Sequence, residues 1–279
     1  PDEFKKYTDY TIHDRTDVDE SVFSNKFEFS GKYGKDLMME VSRYALVAAH
    51  ISKNKEHDII HAHDWLSFPA GIAAKEISGK PMVAHVHATE FDRSGESVNQ
   101  VVYDIERAGM EAADHVVAVS QLTKNIIIKK YGIPAEKVTV LHNAVLDASI
   151  IKSSYQKKVP EKIVTFLGRI TFQKGPEYFV EAAKKVIERD PNVRFVMAGN
   201  GDLLNRMIDR VAELRMGTKF HFTGFLKGDD VDHMYAISDV YVMPSVSEPF
   251  GISPLEAVRH NTPVIISKQS GVAEVLNNA

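Results

Sequence analysis

Two doubly wound α/β units in tandem, each a parallel sheet flanked by helices, are predicted from three features of this sequence. The first is alternation: from Asp58 onward, apolar runs of strand length alternate with stretches of helical spacing. The second is that this alternation lapses once. Leu146–Lys162 is polar, rich in Lys and Ser, aperiodic and contains Pro160, as expected of a linker. The third is that several strands end in Gly-rich or charged loops running straight into helix-start signals, and doubly wound sheets bind ligands at those ends. The expected division is 1–145 for the first unit, 146–162 for the linker and 163–279 for the second unit.

In chain order, Pro1 to Lys35 is polar and poorly periodic, with Tyr10-Thr11-Ile12-His13 the single hint of a strand. Leu37, Met38, Val41, Tyr44, Ala45 and Ala48 then recur at helical spacing, predicting a helix with that face packed. Buried strands are predicted at Asp58–Ala62, Met82–Val86, Val116–Val119 and Val138–Leu141. Between them lie helices at Leu66–Ile77, Val98–Ala113 and Gln121–Tyr131, with Ser120 as a cap and Gly132-Ile133-Pro134 as a stop. In the second half, strands are predicted at Ile163–Leu167, Val193–Ala198, Lys219–Thr223, Val240–Met243 and Val264–Ile266. The intervening helices are Glu177–Glu188, Asp202–Leu214, Asp229–Ile237 and Pro254–His260.

The 279 residues suffice for two cores. Hydrophobic residues at 44% and charged residues at 26% describe an ordinary globular chain. A net charge of -4 gives no field to recruit nucleic acid, which is not expected as a partner. Cysteine is absent, which removes disulfides, thiolate metal sites and cysteine nucleophiles, and suits a reducing cytoplasm. No apolar run is long enough to span a membrane, so the expected location is cytoplasmic or peripheral to a membrane surface.

The chemistry concentrates after strands. Ser247-Glu248-Pro249-Phe250-Gly251-Ile252-Ser253-Pro254-Leu255-Glu256 joins a strand to a helix, with Ser253 read as N-cap and Pro254 as first helical residue. Gly251 allows close backbone approach, and the amides of Gly251, Ile252 and Ser253 suit an anion such as a diphosphate. Glu248 and Glu256 can accept from sugar hydroxyls. An ordinary βα loop with a solvated Glu256 is the alternative. Gly168-Arg169 and Lys174-Gly175 offer a planar fork and a mobile point charge for phosphate, or else two solvated loop cations. Gly199 and Gly201 form a Gly-x-Gly turn that opens a helix capped by Asp202; alone it is a weak signal. Phe222 and Thr223 close another strand, either lining a ligand or ending a buried element. His61, His63, His85 and His87 form two His-x-His strand ends, which raise a metal-dependent hydrolase as an alternative.

Glu248 and Glu256, separated by seven residues, resemble the E-x7-E element of the retaining GT-B glycosyltransferases of family 4 / group 1, which include glycogen and starch synthases. The Arg169/Lys174 loop and the His61–Trp65 strand are similar to that family too, over a span from about Asp58 to the end. The resemblance implies two Rossmann-like domains facing a cleft, and hexose transfer, glucose being expected, from a nucleotide-diphosphate sugar to an acceptor hydroxyl of a glucan or other saccharide. It implies His87 as the active-site histidine orienting the donor sugar, and Arg169 and Lys174 as the diphosphate clamp, with Glu248 beside them as the fourth catalytic group. Donor-binding positions are Gly199, Gly201, Phe222, Thr223, Gly251, Ile252, Ser253 and Glu256. His85 is expected to be structural. Tyr103, Glu106, Lys124 and His142-Asn143 are further candidates for the cleft. No cofactor and no metal are expected, the nucleotide sugar being a substrate. No carboxylate stands out as a covalent nucleophile, so the implied mechanism is a front-face reaction. The family's opening strand with its Gly-rich loop, and its closing helices, are not found, so a fragment cut at both ends is expected. A folded but catalytically silent donor-binding chain is the competing reading.

Overall fold

The computed structural model describes residues 37–145 and 155–276. The strand hint at Tyr10–His13, and residues 146–154 of the expected linker, lie outside the described residues. The chain divides into two compact units, with the division between Leu141 and His142 and with Ser120–Leu122 grouped with the second.

The first unit runs α1 (Leu37–Asn54), β1 (Ile60–His63), α2 (Asp64–Ser78), β2 (Met82–Val86), α3 (Glu90–Ser94), α4 (Gln100–Ala112), β3 (His115–Ala118), α5 (Gln121–Tyr131) and β4 (Val138–Val140). Among the described residues its sheet has the order β1-β2-β3-β4, all parallel. Parallel strands need covered crossovers, and α2, α4 and α5 supply them. Met82, Ala84 and Val86 of β2 and Val116 and Ala118 of β3 are buried with Phe68, Ile105, Met110 and Ile127 from the helices. Hydrophobic burial of such side chains contributes roughly 1.5–3 kcal/mol each.

The second unit runs β5 (Lys162–Leu167), α6 (Pro176–Ile187), β6 (Val193–Ala198), α7 (Leu204–Glu213), β7 (Phe220–Gly224), α8 (Asp229–Ile237), β8 (Val240–Met243), α9 (Ser253–Arg259) and β9 (Val264–Ile266). Its parallel strands are ordered β7-β6-β5-β8-β9. Phe179 of α6 is the hub of its core, with ring centroids 5.6 Å from Phe166, 5.5 Å from Phe195 and 5.8 Å from Phe220. In this strand order the chain leaves β5 on one side and returns through β8 on the other. The break in winding therefore lies between β5 and β8, where such sheets open a crevice at their carboxyl ends.

Several local expectations need correction. Tyr44 of α1 is 45% exposed, whereas Val41 and Ala49 are the buried residues, so the packed stripe is offset from the one predicted. Asp202 does not cap α7. The chain turns once more, with the Leu203 amide bonded to the Ile170 carbonyl and the Leu204 amide to the Gly201 carbonyl, and the helix begins at Leu204. Ser253 is the first residue of α9 rather than its cap: Ile252 before it already has helical backbone angles, φ -74° and ψ -35°. Helix α4 begins two residues later than expected, capped by Asn99, whose side chain accepts from the Val101 and Val102 amides.

Candidate active site

At the carboxyl ends of β5 and β8, two loops meet. After β5, Leu167 leads into Gly168 and Arg169, a 3₁₀ turn at Phe172–Lys174, and Gly175 before α6. After β8, the chain passes Pro244 and Ser245 to Glu248 and then α9. The Val246 amide donates to the Gln173 carbonyl at 2.8 Å, tying one loop to the other. Lys174 Nζ forms an ion pair with Glu248 Oε2, which also accepts from Ser245 Oγ at 3.1 Å. The Glu248 side chain is 8% exposed and that of Lys174 is 21% exposed, so water screens this pair weakly. Two of the residues assigned to catalysis from sequence are thus brought together. Arg169 is exposed and carries its charge to the surface of the same loop.

The backbone around this crevice is tightly drawn. Gly199 follows β6 with φ +143°, its amide bonded to the Gly224 carbonyl at 2.8 Å. A Cβ there would lie 1.8 Å from the Gly168 carbonyl oxygen, so only glycine lets the post-β6 and post-β5 loops touch. The Gly201 amide is held by the Asn200 side chain at 2.8 Å. Gly251 adopts φ +91° immediately before α9. Ile252 is 41% exposed there. Glu256, in the first turn of that seven-residue helix, accepts from Tyr235 Oη at 3.1 Å. Burial, together with Tyr241 and Glu256 nearby, pushes the Tyr235 phenol up, so it remains a donor.

The strand end at Phe222-Thr223 is less open than the sequence suggests. Phe222 packs against the second core, its ring centroid 5.1 Å from that of Phe220 in a tilted contact, while Thr223 Oγ1 donates to the Gly224 carbonyl at 2.9 Å. Phe225, two residues beyond Thr223, is 68% exposed. It belongs to the Phe222-Thr223-Gly224-Phe225 segment that resembles the family's base-side stretch, of which Phe222 and Thr223 alone are named as donor-binding positions.

In the first unit, β1 and β2 pair in register with His63 opposite His85. Alternation along each strand then places His61, His63, His85 and His87 on one face. His63 Nδ1 lies 2.9 Å from His87 Nε2. Asp64, at the first position of α2, holds φ +57° and accepts from the His87 amide at 2.7 Å. That left-handed conformation is unusual for a non-glycine residue and fixes the loop carrying His87. Sequence reasoning gives Asp64 no role of its own, with the helix expected to begin at Leu66. Burial lowers the His87 imidazole, and His63 adds to this, against the opposing pull of Asp64.

Below that loop sits a buried network. Glu106 is 2% exposed and bonds to Arg93, Tyr131 Oη and the Glu90 amide. Burial raises the Glu106 carboxyl despite these three donors. Thr89 and Asp92 cap α3 reciprocally. Glu106 is therefore a loop anchor in the interior of its unit. Tyr103 donates to the Lys130 carbonyl at 2.9 Å and Lys124 to the Val138 carbonyl at 2.6 Å, and His142 faces Glu274 at 2.8 Å.

Comparison with known proteins agrees with the two-part organisation. Residues 25–147 match the model for Glycosyltransferase Family 4, and residues 147–279 match that for Glycosyl transferases group 1. The glycosyltransferase MJ1607 of Methanocaldococcus jannaschii is 33% identical over 237 residues, covering 80% of this chain and 60% of that protein. The glycogen synthase of Mycobacterium tuberculosis is 27% identical over 226 residues, covering 79% of this chain and 54% of that protein. The chain thus spans about 54–60% of the length of these two curated relatives. Among solved structures, Anabaena Alr3699/HepE in complex with UDP and glucose superposes with a TM-score of 0.72 at 22% identity, over 89% of this chain and 68% of that one. Sucrose-phosphate synthase from Thermosynechococcus elongatus gives 0.74 at 21% identity, over 87% and 64%. These likenesses establish two Rossmann-like folds of the GT-B kind. No described helix is long and apolar enough to cross a membrane. With Family 4 matched over its first part and group 1 over its second, the chain belongs to the group 1 / family 4 glycosyltransferases.

Proposed function

We propose that the protein is a retaining glycosyltransferase that moves a hexose, glucose in the first instance, from a nucleotide-diphosphate sugar to an acceptor hydroxyl on a saccharide. The observation that carries this reading is the meeting of the Lys174 and Glu248 loops at the winding break of the second sheet. A cation and a carboxylate side by side there suit a phosphate and a sugar hydroxyl presented together. Arg169 adds a second cation on the same loop. Glu256, already oriented by Tyr235, is placed for ribose hydroxyls, and His87 orients the donor sugar. UDP and UDP-glucose, the molecules named in the Alr3699/HepE complexes, are the first nucleotide ligands to try.

In the proposed reaction the bond from the anomeric carbon to the diphosphate oxygen breaks and the acceptor oxygen bonds to that carbon on the same face. The acceptor proton passes to the departing phosphate oxygen. Arg169 and Lys174 stabilise the negative charge that grows on the diphosphate, which is worth most where water is excluded. Transfer is therefore expected to survive a chelator. The deciding experiment measures sugar transfer and nucleotide-sugar binding on one sample. Turnover supports the enzyme; binding without turnover supports a catalytically silent donor-binding chain; neither would remove both readings.

A further inference from the structure

The four histidines of the first sheet form a compact cluster for which sugar transfer has no evident use beyond His87. Ring centroids lie 4.3 Å apart for His61 and His63, 5.0 Å for His63 and His85, and 5.3 Å for His61 and His85. One nitrogen from each of these three rings lies within 4.8 Å of the other two. His61 and His63 are exposed, so an ion has a route in. His85 is buried, and neither of its ring nitrogens has a hydrogen-bond partner. A buried imidazole left so has lost its bonds to water without replacing them, and a ligand to one of its nitrogens would offset that loss.

We infer that His61, His63 and His85 form a binding site for a divalent transition metal, Zn²⁺ foremost, with water completing the coordination. The donor set decides the class of ion: imidazoles without a carboxylate suit Zn²⁺, Co²⁺, Ni²⁺ or Cu²⁺ and not Mg²⁺ or Ca²⁺. A His-x-His pair along a strand plus a third imidazole from its neighbour can supply three of four tetrahedral positions. Metal–nitrogen bonds of about 2.0–2.1 Å place ligand atoms closer together than they are here. The rings must therefore converge, and His61 and His63, which are exposed, are the two that can move, His63 by leaving its contact with His87. A filled site would depart from the expectation of no metal drawn from the sequence. Because His63 also contacts His87, occupancy would disturb the donor histidine; that consequence rests on the proposed function, whereas metal binding does not.

The test is titration of the chelator-treated full chain with Co²⁺, followed by visible absorption, and with Zn²⁺ by calorimetry. One equivalent is expected, with a dissociation constant below about 100 μM and the intense visible bands of four-coordinate Co²⁺, displaced by Zn²⁺. His61→Ala and His63→Ala, at exposed positions, are each expected to weaken uptake at least tenfold, by analogy with the ~10–100-fold cost of lesser perturbations to metal sites. The exposed His221→Ala should change nothing. Circular dichroism confirms that each variant is folded, so the test does not depend on substituting the buried His85. A dissociation constant above about 100 μM, or uptake that His61→Ala and His63→Ala weaken less than about tenfold, overturns the site. Loss of metal binding with donor binding retained would overturn neither reading, since it is the result expected of His61→Ala.

Discussion

Lys174 and Glu248 are 74 residues apart in sequence, yet their side chains form an ion pair that joins the loops after β5 and β8. Each partner stabilises the charge of the other in a place where water reaches poorly. Lys174→Ala should therefore lower stability by roughly 1–3 kcal/mol, less than the 3–5 kcal/mol cost of breaking a fully buried pair, because Ser245 still donates to Glu248. The double variant Lys174→Met/Glu248→Gln should recover part of that loss, since no unpaired charge remains. Sugar transfer should not recover with it. Chemical denaturation of Lys174→Met, Glu248→Gln and the double variant checks this, and strictly additive losses would mean that the pair is not coupled.

A second consequence of how these loops touch concerns Gly199. Its φ of +143° and the 1.8 Å approach of a Cβ to the Gly168 carbonyl allow no relief by side-chain rotation, because the obstructing atom is backbone. Gly199→Ala is expected to destabilise the second unit by about 2–4 kcal/mol, in the range of overpacked and strained sites. Gly217→Ala, where a Cβ meets nothing within 4 Å and φ is ordinary, is the matched control and should be nearly neutral. Equal melting temperatures for the two variants would contradict the close approach.

The acid sensitivity of the first unit should come in part from His85. Burial, then His87, His63 and His61, lower its imidazole to about 4 from an ordinary value near 6.5. A group lowered on folding binds fewer protons in the native state than in the unfolded one between those values. Its stabilising contribution is thus complete above about 6.5 and is lost as the pH falls toward 4. In chelator-containing buffer, the melting temperature should fall from pH 7 to pH 5. The slope should be shallower in His85→Gln, which has no proton to gain. An unchanged slope would place the acid sensitivity elsewhere.

The sheets were legible in the sequence because buried parallel strands are continuous apolar runs. Val193–Ala198 and Val240–Met243 were read to the residue, since a polar loop bounds each of them. What escaped was polar and local. Helix α3, Glu-Phe-Asp-Arg-Ser, has too few residues to show a period and exists through the Thr89–Asp92 cap. Asp64 carries no sign in sequence that it will adopt a left-handed conformation and hold the His87 amide. Glu106 lies on a helix whose spacing marks Val102, Ile105 and Met110 as core, but nothing local announces that Arg93 and Tyr131 will meet it. Ser253 and Asp202 were assigned as caps from residue type alone. In one case the preceding Ile252 is already helical, and in the other the Ile170 carbonyl holds the following Leu203, so neither residue is the cap. The candidate site was legible as residue types after strands; the pairing of Lys174 with Glu248 was not, because it depends on the strand order.

The remaining prediction separates the two ends of the donor by Arg169 and Glu256. Arg169 is exposed, so Arg169→Ala should leave stability within about 0.5 kcal/mol. The phosphate charge it is proposed to meet grows as the glycosidic bond breaks, and interactions that strengthen only in the transition state act on kcat. A fall in kcat of ~10²–10³ is expected, by analogy with the loss of one oxyanion donor, with little change in donor affinity. Glu256 is proposed to hold ribose hydroxyls that do not change during reaction. Glu256→Gln keeps an oxygen for Tyr235 Oη, now 3.1 Å away, so the helix start should persist. Its effect should be a raised KM and a weaker donor Kd, with kcat nearly intact. Turnover and donor Kd measured on the same preparations distinguish the two. A near-normal kcat in Arg169→Ala would make Arg169 a solvated loop charge, and a lowered kcat with unchanged Kd in Glu256→Gln would move Glu256 from the nucleoside to the reacting end of the donor.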